Sequence, residues 1–207
     1  MIRQIRTILA PLVIAMTLLA APAQAAQKTL LIFGDSLMAG LGLSQDESFV
    51  GQLQAALSKA GLDVRVINGG ASGDTTATGL ARLDWALGDK PDAAILELGA
   101  NDMLQGIAPA TVRANLSAML KKFAAAKVPV LLAGMKANRG LGADYTTAFD
   151  AIYPDLAKQY GVAFYSFYLD GVALDPKLNQ DDMLHPNAAG VTVIVGKMLP
   201  VVEGLLR

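Results

Sequence analysis

The sequence predicts an α/β fold, a five-stranded parallel sheet with helices on both faces, and three observations predict it. Short β-branched or apolar runs alternate with longer stretches of helical period. Polar and glycine-rich clusters stand directly after the runs, where the loops at the carboxyl ends of parallel strands belong. No internal repeat, low-complexity tract or linker divides the 207 residues, so a single domain is expected behind an N-terminal leader.

Lys28 to Phe33 reads as the first strand, followed by a loop and a helix over about Glu47 to Lys59, whose end Gly61 marks. Asp63 to Ile67 reads as the second strand, leading through a glycine-rich turn to a helix near Thr78 to Leu87. Asp92 to Leu98 reads as the third, followed by a long helix from about Pro109, which suits a first helical turn, to Lys127. Val128 to Ala133 reads as the fourth, and Asp144 to Tyr160 as a helix that Pro154 should kink or split. A short fifth strand at Val162 to Tyr165 precedes an irregular segment and a final helix from about Pro186 to Leu205.

Mean hydropathy is +0.41, a value that suggests a membrane protein, but much of the apolar excess lies at the N-terminus. There Arg3 and Arg6 form a cationic start, Ile8 to Ala20 an apolar run short for a membrane span, and Ala23-Gln24-Ala25 an A-x-A cleavage site. Residues 1–25 are therefore expected to be a cleaved export signal, with 26–207 a single soluble domain that keeps no stable membrane anchor. Losing Arg3 and Arg6 takes the net charge from −1 to about −3.

Composition excludes several classes of function. Seventeen Lys plus Arg against eighteen Asp plus Glu leave no basic excess for phosphates, so nucleic acid is not an expected partner. With no Cys there is no disulfide framework, thiolate nucleophile or Cys-ligated metal. The single His, His185, is too few imidazoles for a catalytic zinc but enough for a Ser-His-Asp relay. Asp35, Asp74 and Asp102 do not have the spacing of an oxygen-ligand metal loop, and neither G-x-G-x-x-G nor G-x-x-x-x-G-K occurs, so no metal site and no phosphate cradle is expected. Trp85 and the methionines at helical positions read as core or surface-packing residues.

The clusters after the strands carry the chemistry. Ser36, where the first strand meets its loop, is placed as a nucleophile, but a hydroxyl needs a neighbouring base, and His185 is the one imidazole available. Asp182, three residues before it, is close enough in a tight turn to orient one ring nitrogen while the other faces Ser36. Pro186 restrains His185 to an extended conformation and can begin the last helix. Taken alone a single His reads as a cap or surface residue; the D-x-x-H-P context before a helix favours the catalytic reading. Acyl transfer also needs donors for the oxyanion, each worth about 3 kcal/mol in the transition state. The candidates are the Ser36 N–H, the Gly73 N–H and the Asn101 side-chain amide. Singly, Gly73 reads as a turn glycine and Asn101 as an Asx-turn, but together they stand at three strand ends. Ser72 is a competing hydroxyl whose surroundings read as turn chemistry.

These residues resemble the SGNH or GDSL hydrolases, whose four blocks supply Ser, Gly, Asn and His. Gly34-Asp35-Ser36-Leu37 is similar to the G-D-S-L block, Gly73 falls in the second block, Asn101 in the third, and Asp182-x-x-His185 in the fourth. Within the family the chain looks most like the periplasmic branch variously called thioesterase I, lysophospholipase or arylesterase, with Ala71 to Thr75, Glu97-Leu98-Gly99, Ala151 to Pro154 and Asp181 to Pro186 sharing its pattern. The resemblance implies a three-layer αβα sandwich with a flavodoxin-like sheet, no cofactor, and hydrolysis of small-molecule acyl esters and thioesters. Two departures concern the crevice: Ala100 stands where many relatives carry a second glycine, and Met135 to Tyr145 lacks a proline that relatives often have there. The G-x-S-x-G elbow of α/β-hydrolases is absent, Met38 replacing its second glycine.

The expected protein is thus an exported serine hydrolase, periplasmic or secreted, acting as a monomer, with Ser36, Asp182 and His185 as triad and Ser36, Gly73 and Asn101 as oxyanion donors. A carbohydrate O-deacetylase with the same triad and a non-catalytic flavodoxin-like binding module are the rival expectations.

Overall fold

β1 (Lys28–Gly34) runs through the middle of the molecule, buried from Leu30 onward because both of its faces are covered. The computed structural model describes residues 27–207; the expected export signal, residues 1–25, lies outside the described residues. β1 pairs in parallel with β2 (Val64–Gly70) on one side and β3 (Ala93–Leu96) on the other, and β4 (Val130–Ala133) and β5 (Ala163–Tyr165) extend the sheet in the order β2-β1-β3-β4-β5. All five predicted strands are present. Phe33 lies opposite both Gly69 and Leu96, so β1, β2 and β3 end level with one another.

After β1 the chain forms α1 (Ser36–Ala39) and α2 (Phe49–Lys59), and α2 buries Phe49, Leu53 and Leu57 at four-residue intervals. The last helix, α8 (Ala188–Leu206), packs against α2 and against β4 and β5, so these helices form one outer layer. α3 (Thr76–Leu87), α5 (Pro109–Ala125) and α7 (Ile152–Tyr160) form the other layer, with α6 (Ala143–Asp150) beside them. α8 is apolar enough, at mean hydropathy 1.6, to cross a membrane by composition, but its Val191, Ile194, Met198 and Val202 are buried in this packing. Because β1 leads to helices on one face and β3, through α4 (Ala100–Leu104), to the other, the two loops diverge and open a crevice between them.

The structure differs from the sequence expectation at several helix ends. The segment 144–160 is split, as expected, but the division falls at Ala151, and Pro154 is the third residue of α7, where its missing N–H has no helical acceptor to lose. The last helix begins at Ala188: Asn187 caps it, its side chain accepting from the Gly190 N–H, and Pro186 instead forms an isolated bridge with Asn179. β2 continues through Asn68 and Gly69 to Gly70, beyond the expected Ile67. Trp85 is not in the core; it stands 79% exposed on α3.

Candidate active site

Ser36 is the first residue of α1, and Asp35 caps that helix, its Oδ1 accepting the Leu37 N–H at 3.0 Å. The cap fixes the serine at the crevice mouth, largely buried. The Ser36 N–H, in the first turn of a helix, has no helical acceptor and donates to no other group among the described residues.

His185 Nε2 lies 2.8 Å from Ser36 Oγ, and its Nδ1 lies 2.5 Å from Asp182 Oδ2. Asp182 Oδ1 accepts the backbone N–H groups of Leu184 and His185, so the turn that carries the imidazole is folded around the carboxylate that orients it. Gln180 ties this turn to the α1 side, its N–H donating to the His185 carbonyl and its side-chain amide to the Leu41 carbonyl. Desolvation pushes the Asp182 carboxyl up, but the N–H and ring of His185 and the Leu184 N–H outweigh it and hold it at about 2.

Gly73 stands in the loop after β2 with φ +85°, a left-handed conformation that glycine adopts without strain, and its N–H likewise donates to no group among the described residues. Arg82 braces that loop. Its Nε donates to Asp74 Oδ2 at 2.5 Å, its Nη2 to the Gly34 carbonyl at 2.8 Å, and its guanidinium lies 4.0 Å from the centre of the Phe33 ring.

Asn101 enters from α4. Its Nδ2 donates to Asp35 Oδ2 at 3.1 Å and to the Asp74 carbonyl at 2.9 Å, so both amide hydrogens are engaged here and the residue joins the three strand-end loops. The next residue, Asp102, is buried and accepts from the Thr76 N–H and hydroxyl, anchoring the start of α3. Burial raises the Asp35 carboxyl to about 6, despite the Leu37 N–H and the His185 ring, which lower it. Asp35, Asp74 and Asp102 are thus each held by protein donors.

The crevice opens into a cavity of about 610 Å³ lined largely by apolar side chains, among them Leu37, Met103, Met135, Phe167, Leu169 and Met183. Ser36, Gly73, Asn101 and His185 border the same cavity. All five expected site residues are therefore in one place, whereas Ser72 is exposed and makes no hydrogen bond to a base among the described residues. Sequence reasoning missed Asp35, Arg82 and Glu97. For Glu97 a signal existed: it is the one charge in the apolar run Ala93 to Leu98.

Residues 32–193 match the GDSL-like lipase/acylhydrolase family. The chain is 40% identical to the esterase TesA of Pseudomonas aeruginosa over 184 residues, which are 88% of this chain and 92% of that one. Over the same share of its own length it is 39% identical to the thioesterase 1/protease 1/lysophospholipase L1 of Escherichia coli, covering 87% of that protein. The crystal structure of TesA superposes with a TM-score of 0.82 at 39% identity, over 86% of this chain and 99% of that one.

Proposed function

Since the chain belongs to the GDSL-like lipase/acylhydrolase family and is a carboxylic ester hydrolase, we propose that it cleaves acyl esters and thioesters through an acyl-enzyme on Ser36. The observation that carries this reading is the 2.8 Å contact between Ser36 Oγ and the Nε2 of an imidazole whose other nitrogen is bound by Asp182. Ser36 Oγ attacks the acyl carbonyl carbon as Nε2 takes its proton. The imidazolium that forms is stabilised by the Asp182 carboxylate and then protonates the leaving alcohol or thiol. In the second half, water gives its proton to Nε2, attacks the acyl-serine, and the proton returns to Ser36 as the acid departs.

Both tetrahedral intermediates carry an oxyanion. The Ser36 and Gly73 N–H groups are free donors beside the nucleophile, and Asn101 supplies the third by exchanging its bond to the Asp74 carbonyl for one to the oxyanion. Every proton and charge in the cycle is taken up by this chain's own groups, so the reading calls on no cofactor, and all five residues come from one chain, so a monomer suffices.

The apolar cavity supports an acyl chain longer than acetyl as the group bound. A carbohydrate deacetylase needs hydrogen-bonding groups for sugar hydroxyls; Lys136, Asn138 and Arg139 do line this cavity, but leucine, methionine and phenylalanine dominate it and favour an acyl chain. A mere binding module has no use for a serine placed on an oriented imidazole. Residues 1–25 support export to the periplasm, with cleavage after Ala25.

A panel of acyl esters and acyl-CoA thioesters graded by chain length, run beside an acetylated xylo-oligosaccharide, tests the substrate class. The expected result is that kcat/KM rises about three- to fourfold per added methylene until the cavity is filled, since each buried methylene contributes about 0.8 kcal/mol. Preference for the acetylated sugar overturns the reading.

A further inference from the structure

Glu97 has no part in the relay, yet it is wholly buried directly behind it. It follows β3, and its N–H donates to the Phe33 carbonyl at 2.9 Å. Neither carboxyl oxygen completes a hydrogen bond to a donor among the described residues, the Asp35 N–H being the one group that favours its anion. A carboxylate in that state keeps neither hydration nor partner, which is among the costliest arrangements a protein can hold. The neighbour it does have is the carboxyl of Asp35. Gly34 makes this approach possible: a Cβ there would stand 2.5 Å from the Glu97 carbonyl oxygen and 2.9 Å from Oε2.

Two abutting carboxyls in a dry site share a proton rather than ionise together. Which one holds it follows from their surroundings. Asp35 accepts from the Leu37 N–H and the Asn101 amide and feels the His185 ring, all of which favour its anion. For Glu97 the Asp35 N–H alone favours the anion, and burial together with the Asp35 charge outweighs it and raises the carboxyl well above the usual carboxylate range. The other ionisable groups around the pair are Asp74, paired with Arg82, the hydroxyls of Tyr153 and Tyr168, and Asp102, which is bound by Thr76. Among these the Tyr153 hydroxyl is committed to the Leu98 carbonyl, and the buried Tyr168 hydroxyl has no partner among the described residues.

We propose that Glu97 is a positioning residue of the active site: its carboxyl keeps its proton in the folded protein and donates it to Asp35, fixing the Asp35 carboxylate as the acceptor that holds Asn101 and the Leu37 N–H on either side of Ser36. Its effect on turnover rests on the oxyanion role given to Asn101 above. Its effect on proton binding does not.

Two variants test it. Glu97→Gln keeps a neutral donor of the same shape, and Glu97→Met keeps volume without a donor. Expected at pH 7 is a kcat within about threefold of wild type for Glu97→Gln and a loss of about 10- to 100-fold for Glu97→Met, with KM changed by less than about twofold in each. Equal losses in both, or an undiminished kcat in Glu97→Met, overturn the positioning role.

Thermal unfolding against pH reads the proton itself and needs only wild type and Glu97→Gln. A carboxyl raised above its unfolded value of 4.5 contributes stability at low pH that is lost as pH rises, because the unfolded chain releases the proton that the native state keeps. As pH rises above the unfolded value of 4.5, the Tm of wild type is expected to fall relative to Glu97→Gln by about 3–5 °C per pH unit for as long as the native carboxyl keeps its proton. A difference that does not change with pH overturns the proposal even if Ser36 proves to be the nucleophile. A sloping difference upholds proton retention even if another residue does the chemistry.

Discussion

Asp182 holds His185 by two bonds at once: its Oδ2 stands 2.5 Å from the ring Nδ1 and its Oδ1 accepts the backbone N–H of the same residue at 3.0 Å. One carboxylate therefore holds both the fold of the turn and the orientation of the ring, with Nε2 directed at Ser36. Asp182→Asn presents an amide donor where Nδ1–H needs an acceptor. It should lower kcat by about 10² to 10⁴, with KM changed by less than about threefold, in steady-state ester hydrolysis. A variant with near-normal kcat removes Asp182 from the relay.

The same contacts give Asp182 a signature in stability. Its carboxyl is held at about 2 in the folded protein against 3.8 ordinarily, so what it contributes is present above the unfolded value and lost as pH falls through the folded one. The Tm difference between wild type and Asp182→Asn should be flat above about pH 5 and shrink between about pH 4 and 2. A difference unaffected by acid contradicts the ionised, hydrogen-bonded carboxylate.

Asn101 spends both amide hydrogens on Asp35 and the Asp74 carbonyl. Its removal therefore loosens the junction of three loops as well as taking away the amide proposed as an oxyanion donor. Asn101→Ala should cost about 10² to 10³ in kcat, and Asn101→Asp, which offers only acceptors to an oxyanion, should be no better. Circular dichroism and Tm should show both folded. Turnover within about threefold of wild type in Asn101→Ala places the third donor elsewhere.

Arg82 acts at one remove, joining the Gly73 loop to the end of β1 through Asp74 and the Gly34 carbonyl. Arg82→Lys cannot make both bonds and stack on Phe33 as the planar guanidinium does. It should lower kcat by about tenfold while leaving KM for a short-chain ester unchanged. A change confined to KM assigns Arg82 to substrate binding instead.

How much of this was legible in the sequence depends on the length scale of each signal. The strand runs such as Leu30 to Phe33 and Ala93 to Leu96 are apolar on both faces and bounded by polar clusters, so five parallel strands could be read directly. α1 and α4 are four and five residues long, too short to show a helical period, and these are the two elements that present Ser36 and Asn101. Pro154 reads as a break because a proline inside a helical pattern removes a bond. It stands instead in the first turn of α7, where no bond exists to remove. The five candidate residues could be named from the sequence because acyl transfer needs particular atoms and this chain has one imidazole to offer, and the structure brings those candidates to one crevice. Asp35 and Arg82 could not be, because what they do is hold other residues, and that depends on which loops the sheet order brings together. Glu97 is intermediate: its charge within an apolar strand marks it, but only the structure reveals that its neighbour is Asp35.

The account turns on Ser36 as the hydroxyl that His185 activates, and covalent capture measures that directly. Wild-type protein treated with an organophosphonate ester and analysed by peptide mass spectrometry should carry one adduct, on Ser36, with hydrolysis lost in step. Ser36→Ala and His185→Ala should each lose at least about 10³-fold in kcat and resist labelling, the double variant should lose little more, and Ser72→Ala should label as wild type does. An adduct on Ser72 or another hydroxyl, or a Ser36→Ala protein that still turns over ester at a wild-type rate, contradicts it.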